Sequence, residues 1–242
     1  MSVRIAVLAS FSLIAIFFAG CSGAPGQPAS GPEVPRPDEV MDFNVLYSQN
    51  CSACHGQAGR GGAAVGLAEP EYMALVDDAT LTRVTANGVH GTAMPGFAQS
   101  AGGMLTDAQI AALVRGMRKH WQRPTNGVQL PSYIPHAAGN VERGAAVYTT
   151  FCASCHEANG KAAAKAGSIR DATYLSLISD QGLRTLVIVG RPDFGAPDWR
   201  NDVPGTPMSE QQISDVVAWL GTQRGGAAVA ASSQNASAGG GR

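Results

Sequence analysis

A pentapeptide with the pattern Cys-x-x-Cys-His occurs twice in this chain, as Cys51-Ser52-Ala53-Cys54-His55 and as Cys152-Ala153-Ser154-Cys155-His156. That string is a covalent attachment site for haem c. Its two thiols add to the porphyrin vinyl groups, and the adjoining histidine turns back to take the iron. A Cys-x-x-Cys alone also suits a redox dithiol, half of a zinc ribbon or ordinary disulfides. The trailing histidine in both copies separates the two motifs from those readings. Cys51, Cys54, Cys152 and Cys155 therefore stand as cofactor attachment residues, and His55 and His156 as proximal iron ligands, for two haem c groups. A chain holding two such groups must fold around them, which constrains everything else.

The fifth and last cysteine, Cys21, ends a hydrophobic leader. Arg4 is followed by an apolar run from Ile5 to Ala19, broken by Ser10 and Ser12, and then by Phe18-Ala19-Gly20-Cys21. The run is shorter than the roughly 18 residues of a membrane span and has the length of a signal-peptide core. Residues 22–37 contain prolines 25, 28, 32, 35 and 37 among Gly, Ser and Ala, the composition of a partly extended tether. Residues 225–242, rich in Gly, Ala and Ser, read as a disordered tail. The chain carries 17 Lys/Arg against 18 Asp/Glu, a net charge of −1. Losing Arg4 with a leader makes it one unit more negative, and nothing in that balance points to nucleic acid.

The rest of the chain is an internal duplication. Tyr47 and Tyr148 each stand four residues before the first cysteine of a motif. A helical stripe precedes each motif: Val40, Phe43, Leu46 and Tyr47, then Val141, Ala145, Val147 and Tyr148. Each repeat closes on a predicted helix with a capping box, Thr106 with Gln109 and Ser209 with Gln212. Apolar residues follow at core spacing: Ile110, Leu113, Val114 and Met117, then Ile213, Val216, Val217 and Leu220. Between motif and last helix, a Gly-rich loop, a short middle helix starting near Asp78 or Asp180, and a second loop are expected. Residues 122–138, with Pro124, Pro131 and Pro135, connect the repeats and are too short to hold them far apart.

This order resembles a class I cytochrome c domain, twice over, at residues 38–121 and 139–224. The resemblance implies an all-α fold in which terminal helices cross and pack on a covalent haem. Aromatic residues make up only 6% of the chain, so the haem is expected to supply much of the core. The leader resembles a bacterial lipoprotein signal, except that Phe18 stands where Leu is usual. It implies cleavage of residues 1–20, lipidation of Cys21, export, and anchoring to a membrane on the periplasmic side.

What completes each iron decides whether the site carries electrons or binds molecules. In Gly88-Val89-His90-Gly91-Thr92-Ala93-Met94-Pro95-Gly96-Phe97, Met94 stands before Pro95 as in the loop that presents a thioether in that family. Met73, Met104 and His90 are the other donors nearby. The second repeat has Gly190-Arg191-Pro192-Asp193-Phe194-Gly195-Ala196-Pro197-Asp198-Trp199. Here Ala196 takes the place of Met94 and has no donor atom. Met208, the last methionine, is the ligand assigned to the second iron, although it aligns with Leu105. His136 and an open iron are the alternatives. Arg191 and Trp199 are expected beside the haem propionates.

The resulting expectation is a membrane-tethered dihaem electron carrier of a bacterial respiratory chain, free or as a subunit. It would link a quinol-oxidising complex to a terminal oxidase or another exported reductase. No catalytic residue is assigned. A peroxidase or gas-binding protein using an open second haem is the alternative, and a purely structural second haem is a third.

Overall fold

The computed structural model describes residues 31, 34–156, 166–201 and 205–225. The leader, Cys21, most of the tether and the C-terminal stretch beyond residue 225 lie outside them. The chain divides into a unit ending at Pro37 and a compact unit from Asp38 onward; the second is described below.

The first repeat consists of α1 (Phe43–Asn50), α2 (Ser52–His55), α3 (Pro70–Leu75), α4 (Asp78–Asn87) and α5 (Asp107–Trp121). The second repeats the series as α6 (Val141–Phe151), α7 (Ala153–His156), α8 (Ala172–Ser176), α9 (Asp180–Val189) and α10 (Glu210–Thr222). Short 3-10 turns fall at Pro37–Glu39, Gln99–Ala101, Pro192–Phe194 and Gln223–Gly225. Among the described residues there is no strand, only the isolated bridges Ala98 to Leu105 and Arg191 to Ala196. The protein is all-α, with tandem helical repeats.

Local chemistry explains where the helices begin and end. Asp42 and Asn140 cap α1 and α6 by accepting from the N–H groups of Val45 and Arg143. Both capping boxes form, Thr106 with Gln109 and Ser209 with Gln212. Gly88 and Gly190 end α4 and α9 at φ +68° and +71°, a conformation that costs glycine nothing. The two short helices α3 and α8 lie in what the sequence reads as loops. Pro70 opens α3, and Tyr72 and Met73 turn inward from it; Asp171 caps α8, which buries Leu175. One-and-a-half turns are too brief to show a helical period.

The closing helices bury the expected stripes: Ile110, Leu113, Val114 and Met117 on α5, and Ile213, Val216, Val217 and Leu220 on α10. The opening helices differ from expectation at their first turns. Val40 lies outside α1, and Val141 is 42% exposed at the start of α6. The inward position there is Gly144.

Gly144 marks a reciprocal exchange between the repeats. In the first, the Phe43 ring of α1 lies against Gly116 of α5, where a Cβ would stand 2.1 Å from Cδ2 of Phe43. In the second, Gly144 of α6 meets Trp219 of α10. Phe43 and Gly144 both precede the first motif cysteine by eight residues, and Gly116 and Trp219 both follow the N-cap by ten. The same crossing is thus filled by one ring and one glycine, from opposite helices in the two repeats.

The connection between repeats is packed down. Buried Arg184 donates to the Ser132 carbonyl (3.0 and 2.8 Å) and to Ser214 Oγ. Glu210 accepts from the Ser132 N–H at 2.6 Å, and Gln181 donates to the Tyr133 carbonyl. The repeats also touch directly. Val189 belongs to the first core, Leu75 packs on both cores, and Arg200 pairs with Glu71 at 3.2 Å.

Candidate haem sites

Each opening helix runs straight into its motif. The N–H groups of Cys51 and Cys152 donate to the carbonyls of Tyr47 and Tyr148, and those of His55 and His156 donate back to Cys51 and Cys152. The turn carries both cysteines and the histidine on about one helical turn. The following chain then folds back against it: the Ala64 N–H donates to the Cys54 carbonyl at 2.8 Å.

This return brings a carbonyl to each histidine. Nδ1 of His55 lies 2.9 Å from the Val65 oxygen, and Nδ1 of His156 lies 2.8 Å from the Gly167 oxygen. A carbonyl only accepts, so Nδ1 holds the proton and Nε2 keeps its lone pair for a metal. An orienting acceptor on the far nitrogen is the usual support of a ligating histidine. Burial pushes His55 below the ordinary imidazole range. The Val65 carbonyl opposes that shift and the Arg191 guanidinium adds to it. The ring is therefore held in the neutral form that binds iron.

The cysteines do not fit a redox dithiol. Burial, with the neighbouring thiol adding to it, pushes Cys51 up to about 12 and Cys152 up to about 11, whereas reactive dithiols are tuned downward. None of the four is joined in a disulfide. Among the described residues no group of three or more His, Cys, Asp and Glu side chains is arranged to hold a metal ion. A pair of thiols beside an imidazole oriented by a carbonyl is a donor set that suits a covalent haem, and both motifs present it.

The loops that follow α4 and α9 share several backbone hydrogen bonds. The Val89 N–H donates to the Met94 carbonyl, and the Arg191 N–H to the Ala196 carbonyl, both at 2.9 Å. A Cβ on Gly88 would strike Pro95, and one on Gly190 would strike Pro197. Further on, the Leu105 N–H donates to the Phe97 carbonyl and the Met208 N–H to that of Trp199, both at 2.8 Å. Ala196 therefore occupies the backbone place of Met94, and Met208 that of Leu105. Met208 is 6% exposed and Leu105 5%, each inside its own core.

The other donors are spread apart. Met104 is 81% exposed, Met73 is buried under Arg118, and His90 is exposed. His136 sits on the surface and pairs with Glu210 at 2.9 Å. Trp199 is buried, with the Arg200 guanidinium 4.9 Å from its ring centre. Arg191 makes contacts within the protein that the sequence did not suggest. Its guanidinium lies against Asp193 and against backbone carbonyls of the first repeat, 2.6 Å from that of Gly62. Contacts more than a hundred residues apart, such as Arg191 and Asp193 with Gly62 and Gly61, leave no local pattern in the sequence.

Residues 141–224 match the cytochrome c family, and residues 38–115 match the family described as cytochrome c oxidase, cbb3-type, subunit III. Among solved structures, the chain is similar to one from the Kuenenia stuttgartiensis reducing HAO-like protein complex. The two share 13% identity over 79% of this chain and 99% of that one, with a TM-score of 0.42. The comparison with curated protein sequences returns no significant match.

Proposed function

Starting from a chain that is a tandem cytochrome c protein, we propose that it is a membrane-tethered dihaem carrier in a bacterial respiratory chain. The observation that carries this reading is the pair of Cys-x-x-Cys-His turns, each with its histidine Nδ1 held by a backbone carbonyl. Haem c, bound through Cys51 and Cys54 and through Cys152 and Cys155, supplies reversible one-electron iron chemistry. The protein's part is to fix His55 and His156, to exclude water with the two cores, and to hold both sites in one compact unit. Packing of the two repeats against each other favours passage of electrons between them.

On this reading Met94 completes the first iron and Met208 the second. The chain is exported, is lipidated at Cys21, and meets redox protein partners. Electrons arrive from a quinol-oxidising complex and leave to a terminal oxidase or another exported reductase. The likeness of the first repeat to a cbb3-type oxidase subunit supports an oxidase as acceptor. No helix among the described residues is long and apolar enough to cross a membrane.

A second reading is favoured by one observation. Ala196 has the backbone place of Met94, and Met208 packs where Leu105 packs. An open second iron would bind gases or react with peroxide. Optical spectra of the reduced holoprotein with and without carbon monoxide separate the two. A carrier with both irons filled shows no carbon monoxide adduct, and Met208→Ala creates one. An adduct at half the haem, abolished by Ala196→Met, overturns the Met208 assignment and selects the second reading.

A further inference from the structure

The loop that lacks an axial methionine is turned to another use. It closes on itself through the Arg191 to Ala196 bridge, whose N–H groups donate at 2.9 and 3.0 Å, with Gly195 at φ +77°. Its two charged side chains then reach into the first repeat. The Asp193 carboxylate accepts from the Gly61 N–H at 2.8 Å and from Arg191 Nε and Nη2 at 3.0 and 2.9 Å. Arg191 Nη2 donates onward to the Gly62 carbonyl at 2.6 Å. The side chains of Arg191 and Asp193 are only 16% and 9% exposed.

Gly61 and Gly62 belong to the chain return that supports the first proximal ligand. Two residues on, Ala64 bonds the Cys54 carbonyl, and Val65 supplies the acceptor for His55 Nδ1. The return has little slack: a Cβ on Gly62 would stand 2.2 Å from the Cys54 oxygen. Arg191 and Asp193 are thus joined to His55 through a short, tightly packed stretch of backbone. The arrangement has no mirror image, because the places of Arg191 and Asp193 are taken in the first repeat by Val89 and Gly91.

We propose that the Arg191–Asp193 pair of the second repeat is a positioning element for His55 and sets the reduction potential of the first haem. The proposal rests on the haem-carrier reading above. Its sign follows from charge. Ferrous haem carries one positive charge fewer than ferric, so a nearby buried cation favours reduction and a nearby anion opposes it, most strongly where water is excluded. Arg191 acts in the first sense and Asp193 offsets it.

The test uses full-length holoprotein. Haem content is measured first; a chain without haem at the first motif overturns the carrier reading and this inference with it. Spectroelectrochemical titration then follows two waves, the first-haem wave being the one that Met94→Ala moves. Arg191→Gln is expected to lower the midpoint of that wave and Asp193→Asn to raise it. The double variant returns towards the native value, Arg191→Lys stays near it, and the second wave is unmoved. Two haems per chain with both single variants shifting the first wave in the same direction, or leaving it in place, overturn the inference while the carrier reading stands. Loss of thermal stability alone, without opposite shifts in potential, likewise reduces the pair to a structural clamp.

Discussion

Gly144 sits in the middle of α6, where replacing glycine by alanine ordinarily stabilises a helix by about 0.5–1 kcal/mol. In this position the sign is expected to reverse. The added Cβ would lie 2.1 Å from the Asp215 carbonyl oxygen and 2.6 Å from the Trp219 Cβ, whereas ordinary contact begins at 3.4 Å. The nearest atom is backbone, so no side-chain rotation relieves the shortfall, and α6 and α10 have to separate by about 1 Å. Overpacking of this kind costs about 1–3 kcal/mol, and the rigid partner puts it at the upper end. After the helix-propensity gain, a net loss of about 2 kcal/mol remains. For a cooperative unit of this size that corresponds to a fall in Tm of roughly 4–8 °C. The assay is thermal unfolding of the oxidised holoprotein, followed by far-ultraviolet circular dichroism and haem absorbance.

Gly116→Ala supplies the internal comparison. The three atoms nearest its Cβ would all belong to the Phe43 side chain, at 2.1 to 2.8 Å. The substitution is therefore expected to be harmful alone and much less so in a Phe43→Ala background, which removes Cγ and Cδ2 but keeps the Cβ at 2.8 Å, a coupling that a double-mutant cycle reads directly. Gly144→Ala should stay harmful in a Trp219→Ala background, because the Asp215 carbonyl remains. If Gly144→Ala leaves Tm unchanged or raises it, the close crossing of α6 and α10 is wrong.

Three other outcomes are expected. Burial pushes the Asp215 carboxyl up, but the Arg143 side chain, the Asn140 N–H and Gln211 together hold it below the ordinary carboxylate range. Its contribution is therefore complete above the unfolded value of about 3.9 and is lost as pH falls through the lower folded value. Asp215→Asn should lower Tm at pH 7 and flatten the acid dependence below about pH 4; an unchanged acid limb would refute this. Protein made without haem, by replacing all four motif cysteines with alanine, should lose cooperative thermal unfolding. A sharp native-like melt would show that the aromatic-poor cores suffice alone. Cys21→Ala should release the protein from the membrane fraction, and continued membrane association of that variant would exclude a lipid anchor at Cys21.

Much of the architecture was legible because its signals are local. The capping boxes at Thr106 and Ser209 and the apolar stripes after them need only one helix to be read. The starts of α4 and α9 at Asp78 and Asp180 likewise follow from short-range pattern. The haem motifs are stronger still, since two cysteines and a histidine, each with a chemical task, fall within five consecutive residues. The short helices α3 and α8 were missed for the opposite reason: they are too brief to show a period. Val141 was misplaced because an apolar residue at a helix start can face water when a neighbouring glycine provides the contact.

The chain's covalent chemistry, its duplication and the order of its helices are thus written in neighbouring residues and can be read without coordinates. How the two repeats meet is not. The exchange of ring and glycine between Phe43–Gly116 and Gly144–Trp219, the burial of Arg184 on the connecting strap, and the reach of Arg191 and Asp193 to Gly61 and Gly62 all join residues that lie far apart in sequence. Such contacts depend on shape and on which donors and acceptors remain unmet after each repeat has closed, and those quantities exist only in the folded protein.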